Sequence, residues 1–281
     1  MPTFKSKMVN FMIRNNHHLR GKISKEVFDM NTSIDGFRER CEKGANRFAK
    51  VPSDVSVEEV SIDGMKAEWL VPEKADRKQA ILYVHGGGYV SGSCNDHRSI
   101  VASFAKRTGI AFLIYEYGLA PEHPFPAAID DSVKAYQWLL SSGFLPGNIV
   151  IAGESAGGGL CLALLLALKE RDIAKPAAAV AMSPWTDLTC SGESYHTKNR
   201  KSPAPLNSWH VFAKHYAGEN PRNNPLISPL FGDLSLLPPL LIISGVDDEL
   251  FDDGERFSIK AREAGVDVTF IAGEGIHRII H

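Results

Sequence analysis

Four segments of the chain carry residue types that could do chemistry. The first is Gly153-Glu154-Ser155-Ala156-Gly157. It follows an apolar run at 149–152 and opens a helical stretch that continues to Arg171. A serine on a sharp strand-to-helix turn has its hydroxyl thrust out at the carboxyl end of a strand, where open α/β sheets carry their sites. So tight a turn needs small neighbours, which accounts for Gly153, Gly157 and Gly158. The helix start behind it offers free N–H groups and a partial positive charge. The pentapeptide alone decides little in a chain with 24 Gly, because a glycine-rich βα turn would look the same. The strand before it and the helix after it favour a nucleophile.

The second segment is His85-Gly86-Gly87-Gly88-Tyr89, directly after the run 80–84. Three glycines leave backbone N–H groups free to point at a substrate oxygen, as in half of an oxyanion hole. The N–H of Ala156 would supply the other half, and each such donor contributes on the order of 3 kcal/mol to a transition state. A phosphate-cradling loop is the competing reading, and the chain has no Gly-x-x-x-x-Gly-Lys or Gly-x-Gly-x-x-Gly to support it. His85 reads as a residue that holds the loop, not as a base. The third segment is Asp247-Asp248-Glu249-Leu250-Phe251-Asp252-Asp253, where one carboxylate could orient a histidine. A solvated acidic helix start would have the same composition. The fourth is His277, which follows the apolar run 266–272 and completes the order Ser, Asp, His.

These residues need a scaffold, and the hydrophobic pattern supplies one. Residues 57–62 and 65–71 are β-rich and joined by Asp63-Gly64, a hairpin signal. Unbroken apolar runs follow at 80–84, 111–115, 149–152, 177–182 and 240–244. Such runs suit strands buried on both faces of a parallel sheet. Helical stretches separate them at about 97–107, 127–141, 156–171 and 253–264. The alternation predicts an α/β fold with helices on both faces of a mostly parallel sheet. Residues 1–50 differ. Val27, Met30, Ile34 and Phe37 have helical spacing, and this segment is expected to be helical, as a packing arm or a lid. Residues 186–227, with Pro203, Pro205, Pro221 and Pro225, read as an irregular excursion from the sheet.

Composition narrows the class further. The 281 residues balance 31 Lys and Arg against 33 Asp and Glu, and 44% are hydrophobic. That is enough for a sizeable core and argues against disorder. A net charge of −2 argues against a protein built to neutralise nucleic-acid phosphates or to bind anionic membranes. Cys41, Cys94, Cys161 and Cys190 form no CxxC, which weakens zinc and redox-motif readings, and mostly buried thiols in a reducing cytosol are expected. The apolar run 8–13 is broken by Asn10 and ended by Arg14, too short and polar for a signal peptide. The longest apolar stretch, 160–168, is about half of a membrane span. A cytoplasmic protein without stable membrane insertion is expected.

Together the motifs resemble the α/β-hydrolase esterases of the bacterial hormone-sensitive-lipase type (family IV). The matching segments are 85–89, 117–131 (Tyr-Gly-Leu-Ala-Pro-Glu-His-Pro-Phe-Pro-Ala-Ala-Ile-Asp-Asp), 153–158, 183–188 (Ser-Pro-Trp-Thr-Asp-Leu), 228–230 and 248–254. The resemblance implies a carboxylesterase that hydrolyses short-chain acyl esters through an acyl-enzyme. It implies Ser155 as nucleophile, Asp248 as acid, His277 as base and the N–H groups of Gly87, Gly88 and Ala156 as the oxyanion hole. It implies no metal or organic cofactor, a small ester as substrate, and a homodimer paired through the last strand. Residues 1–50 would form a helical cap segment and 51–281 the catalytic domain, with 186–227 contributing to the cap. Trp209 and Phe212 would then border the acyl pocket.

Three positions depart from the family pattern. Gly118 stands where the family usually has Arg; the loop before His277 looks one residue shorter; and only Arg278-Ile279-Ile280-His281 follow His277, where the family has a closing helix. His281 is a rival base. Two other functions share these residues: an amidase or peptidase using the same triad, and a ligand-binding relative without turnover, as in the plant gibberellin receptors, which resemble the family and lack the histidine.

Overall fold

The computed structural model describes residues 25–274 apart from Ala49, Arg200, Lys201 and Pro203. Eight strands form one sheet in the order β1-β2-β4-β3-β5-β6-β7-β8. They are β1 (Val55–Ile62), β2 (Met65–Pro72), β3 (Ala80–Val84), β4 (Ala111–Tyr115), β5 (Ile149–Glu154), β6 (Ala178–Met182), β7 (Leu240–Gly245) and β8 (Val268–Gly273). The pairs β1/β2 and β2/β4 are antiparallel and all others are parallel. The expected α/β sheet is therefore what the chain forms, with its hairpin at Asp63-Gly64.

The apolar runs become strands because both faces are covered. Every residue of β3 and β4 is buried. Successive residues point to opposite sides. Ile81, Tyr83, Phe112 and Ile114 join one core, and Leu82, Val84, Leu113 and Tyr115 join the other. Helix α2 (Cys94–Thr108) packs on β2 and β4. It starts in a capping box between Ser93 and Asp96 and ends at Gly109 in the left-handed region. Helix α3 (Ala127–Ser141) lies against α4 (Ala156–Glu170), which packs on β5 and β6. The run 160–168 lies within α4, whose residues from Ala156 to Leu168 are all buried. A helix apolar on all sides marks a protein interior as well as a membrane span, and no helix among the described residues is long and apolar enough to cross a membrane. Helix α7 (Phe251–Glu263) covers β7 and β8.

The segments outside the sheet depart from expectation. The helix near the N-terminus, α1, runs from Ile34 to Phe48 only. Val27 instead makes a parallel bridge to Leu206, with Phe28 N–H donating to Leu206 O at 2.9 Å. The apolar spacing of Val27 and Met30 reflects no helix, because Val27 is 63% and Met30 52% exposed. Residues 186–227 are less irregular than their prolines suggest. They contain the short helix α5 (Ser194–Thr197) and the ten-residue helix α6 (Ser208–Ala217). The position with Gly118 in place of Arg is closely packed: its N–H donates to Asp131 Oδ2 at 3.0 Å, and a Cβ there would lie 2.9 Å from His123 Cβ.

Candidate active site

The parallel strands end on one edge of the sheet, and the glycine loop, Ser155 and Asp248 follow the ends of β3, β5 and β7 there. Strand β5 passes into α4 through Ser155, whose backbone is at φ 55°, ψ −123°. A non-glycine residue held at positive φ costs on the order of 1–3 kcal/mol and persists only where its surroundings over-determine it. Here they do. Ser155 N–H donates to Met182 O at 2.9 Å, and Ser155 O accepts from Gly159 and Trp185 N–H at 3.0 and 2.9 Å. Gly157 is required by close approach, since a Cβ would lie 2.2 Å from Val84 O. These bonds fix the serine in the lining of a cavity of about 50 Å³.

Strand β3 runs beside β5, so the loop after it reaches the same point. Gly86, Gly87 and Gly88 line that cavity with Ser155. Gly87 has φ 115°, and its carbonyl accepts from Val90 and Ser91 N–H at 3.2 and 3.0 Å. The loop therefore turns back on itself. The N–H groups of Gly87, Gly88 and Ala156 donate to no other described residue. His85 is buried beneath the loop: Nδ1 lies 2.8 Å from Gly86 O, and the ring stacks on Tyr117 at 4.2 Å. Burial first, and His97 second, push its pKa down to about 4.

A buried ionic cluster lies in the cavity wall. Glu154 Oε1 accepts from Gly86 N–H at 2.6 Å and lies 2.9 Å from His97 Nε2. Glu154 Oε2 accepts from the Tyr83 hydroxyl, and His97 Nδ1 bonds to Asp96. Burial alone would depress the His97 pKa, but Glu154 and Asp96 together raise it, and His97 in turn keeps Glu154 low against the same burial.

Asp248 lies in the turn after β7, buried, with Oδ1 accepting from Leu250 N–H at 3.2 Å. Its Oδ2 is buried and has no hydrogen-bond partner among the described residues. Strand β8 pairs with β7 so that Gly273 lies opposite Gly245, and Val246 N–H donates to Gly273 O. The chain thus leaves β8 beside the Asp248 turn. His277 and His281 lie outside the described residues. The far wall of the cavity comes from outside the sheet: Phe37 and Cys41 of α1, and Ser208, Trp209 and Phe212 of α6. Phe37 and Phe212 pack at 5.4 Å, and Phe28 meets both edge-on.

Residues 81–281 match the family described as alpha/beta hydrolase fold. The chain is 41% identical over 234 residues to an acetyl-hydrolase of Streptomyces hygroscopicus, covering 83% of this chain and 76% of that protein. It is 37% identical over 244 residues to an esterase of Acinetobacter venetianus, covering 86% and 80%. Among solved structures, EstE5 soaked with p-nitrophenyl butyrate superposes with a TM-score of 0.90 at 38% identity, over 99% of this chain and 90% of that one. An esterase from the bacterial hormone-sensitive lipase family gives 0.89 at 35%, over 99% and 91%. The chain belongs to the bacterial hormone-sensitive-lipase type of the α/β-hydrolase family.

For a hydrolase of this type, sequence reasoning found the serine and the glycine loop but passed over the cluster that joins them. Glu154 sits inside the Gly-x-Ser-x-Gly pentapeptide, and Asp96-His97 lie in the first turn of the helix that follows the glycine loop. The only signal was a charged residue in a turn between a buried strand and a buried helix. Cys41 was expected to be a buried thiol, as all four cysteines are, but its place in this hydrolase's cavity wall depends on where α1 packs.

Proposed function

We propose that the protein is a carboxylesterase that hydrolyses short-chain acyl esters through Ser155, Asp248 and His277. The observation that carries this reading is Ser155, held at positive φ at the start of α4 beside three N–H groups that donate to no other described residue. Neutral His277 takes the Ser155 proton as the hydroxyl attacks the ester carbonyl, and then returns it to the leaving alcohol. Asp248, through an Oδ2 that has no partner among the described residues, orients the imidazole and stabilises the imidazolium. The N–H groups of Gly87, Gly88 and Ala156 hold the oxyanion. Water then attacks the acyl-enzyme, with His277 again as base, and the acid leaves.

Residues 1–50 and part of 186–227 act as a cap over a catalytic domain spanning 51–281. The cavity is small and walled by Phe37, Trp209 and Phe212, which supports a short acyl group. The reading also places the enzyme in the cytoplasm, where free thiols stay reduced, and pairs it through the exposed edge of β8.

Hydrolysis of p-nitrophenyl acetate tests the assignment. Ser155→Ala is expected to lower kcat by about 10³-fold or more. Wild-type turnover in that variant would overturn it. His277→Ala and His281→Ala compared in the same assay identify the base: only the first should abolish turnover.

A further inference from the structure

The mechanism above makes no use of the ionic cluster behind the glycine loop, although it is bonded to both halves of the site. Glu154 is the covalent neighbour of Ser155 and, through Oε1, accepts from the N–H of Gly86 at 2.6 Å, where the glycine loop begins. A Cβ on Gly86 would lie 2.8 Å from that same Oε1 and 3.3 Å from Ser155 Cβ. The three groups are therefore in direct packing contact. Two further bonds hold the carboxylate, from Tyr83 on β3 and from His97 Nε2 on α2 at 2.9 Å. His97 cannot rotate away, because its other nitrogen is bonded to Asp96 and its ring lies 5.2 Å from that of His85. Asp96 is fixed in turn by the helix cap, accepting from Ser93 N–H at 2.8 Å. Both ring nitrogens of His97 face carboxylate oxygens, which accept and do not donate. The charges of His97, Glu154 and Asp96 thus meet inside a site whose side chains are almost wholly buried.

We infer that Glu154, anchored by His97, is a positioning residue that sets the separation between Ser155 and the oxyanion N–H groups of Gly87 and Gly88. A loop of three consecutive glycines has little stiffness of its own. Something must hold its donors where the oxyanion forms, since a misplacement of about 1 Å can cost ~10²-fold in rate. The Gly86–Glu154 bond ties the root of the loop to the residue beside the nucleophile, so the two halves of the hole move as one body. The inference rests on the reading of Ser155 as nucleophile.

Steady-state hydrolysis of p-nitrophenyl acetate by the full chain, with inhibition by a trifluoromethyl ketone, separates positioning from plain stability. The ketone forms a hemiketal oxyanion on Ser155, so its affinity reports the hole directly. Glu154→Ala is expected to lower kcat about 10²-fold with KM within about twofold, and to weaken the ketone by the same factor as kcat/KM. Glu154→Gln keeps an acceptor at the same reach and should recover most of both. If Glu154→Ala does not fold, Glu154→Asp serves: it keeps the charge beside His97 but draws the carboxylate back from Gly86. Wild-type kcat and ketone affinity in either folded variant would overturn the inference. So would a Glu154→Gln as impaired as Glu154→Ala. Retained turnover in Ser155→Ala would instead overturn the nucleophile, a result the Glu154 variants cannot mimic.

Discussion

Arg38 and Glu122 form a two-pronged ion pair, Nη1 to Oε1 at 2.8 Å and Nη2 to Oε2 at 2.6 Å. The same guanidinium donates from Nε to Val90 O at 2.7 Å and from Nη2 to Ala120 O at 2.9 Å. Helix α1 is thereby hung on the end of the glycine loop and on the loop after β4, and it carries Phe37 and Cys41 into the cavity wall.

Losing Arg38 should loosen that wall. Arg38→Met is expected to raise KM several-fold with a smaller change in kcat, and to lower stability by about 1–2 kcal/mol, as befits a half-exposed pair with two extra hydrogen bonds. The hydrogen bond from Arg38 outweighs burial and pulls the Glu122 pKa down to about 2. A depressed carboxylate stabilises above its unfolded pKa of about 4.3 and stops doing so as pH falls through the folded value. The difference in Tm between wild type and variant should therefore narrow from about pH 4 down to pH 2; a difference independent of pH would count against the pair.

Phe212 lines the cavity against the glycine loop. A Cβ on Gly88 would lie 2.4 Å from its ring, so ring and loop are in close contact. Phe212→Ala should raise kcat/KM for an octanoyl relative to an acetyl p-nitrophenyl ester by tenfold or more, at a cost of about 3–5 kcal/mol in stability. Phe212→Leu should give a milder version of both. An unchanged acyl-chain profile in a folded variant would remove Phe212 from the acyl wall.

The acid can be singled out by comparison. Asp248→Asn is expected to lower kcat by about 10²–10⁴-fold with the fold retained, because an amide favours the wrong imidazole tautomer. Asp247→Asn, next to it in the chain and less buried, should change kcat by less than about tenfold. If the two losses are reversed, Asp247 is the acid.

His97 makes alkaline stability measurable. It faces Glu154, Asp96 and His85, with the Tyr83 hydroxyl on the same carboxylate. Its pKa is raised, against burial, by the two carboxylates. A histidine raised in the fold stabilises fully below its unfolded pKa of about 6.5 and ceases to do so as pH climbs through the folded value. The Tm advantage of wild type over His97→Gln should therefore shrink as pH rises above about 7. A constant advantage up to pH 10 would argue that His97 is neutral.

How much of this could be read without the fold depends on the range of each signal. Ser155 and Gly86–Gly88 were legible because their chemistry is written in adjacent residues: an apolar run, a glycine-rich turn, a helix. The sheet was legible for the same reason, since burial on both faces leaves unbroken apolar runs such as 80–84 and 111–115. Helix α6 was not. Pro203 and Pro205 precede it and Pro221 and Pro225 follow it, so none interrupts it, and the helix is held by packing of Trp209 and Phe212 on residues far away in the chain. Val27 was misread because three or four apolar residues at helical spacing fit a helix and a bridged loop equally well.

By itself, then, the sequence determined the α/β alternation, the family and the candidate nucleophile, all of which depend on near neighbours along the chain. Only the tertiary structure decided how the site is closed and braced. Arg38 reaches Glu122 across 84 positions, and Glu154 reaches Gly86 across 68 and His97 across the β3/β5 boundary. Such bonds leave no periodic trace, because a charged residue that is solvated and one that is buried against a distant partner look the same in a sequence. What distinguishes them is the loss of water around them, and that is set by the sheet order that brings β3, β5 and α2 to one edge.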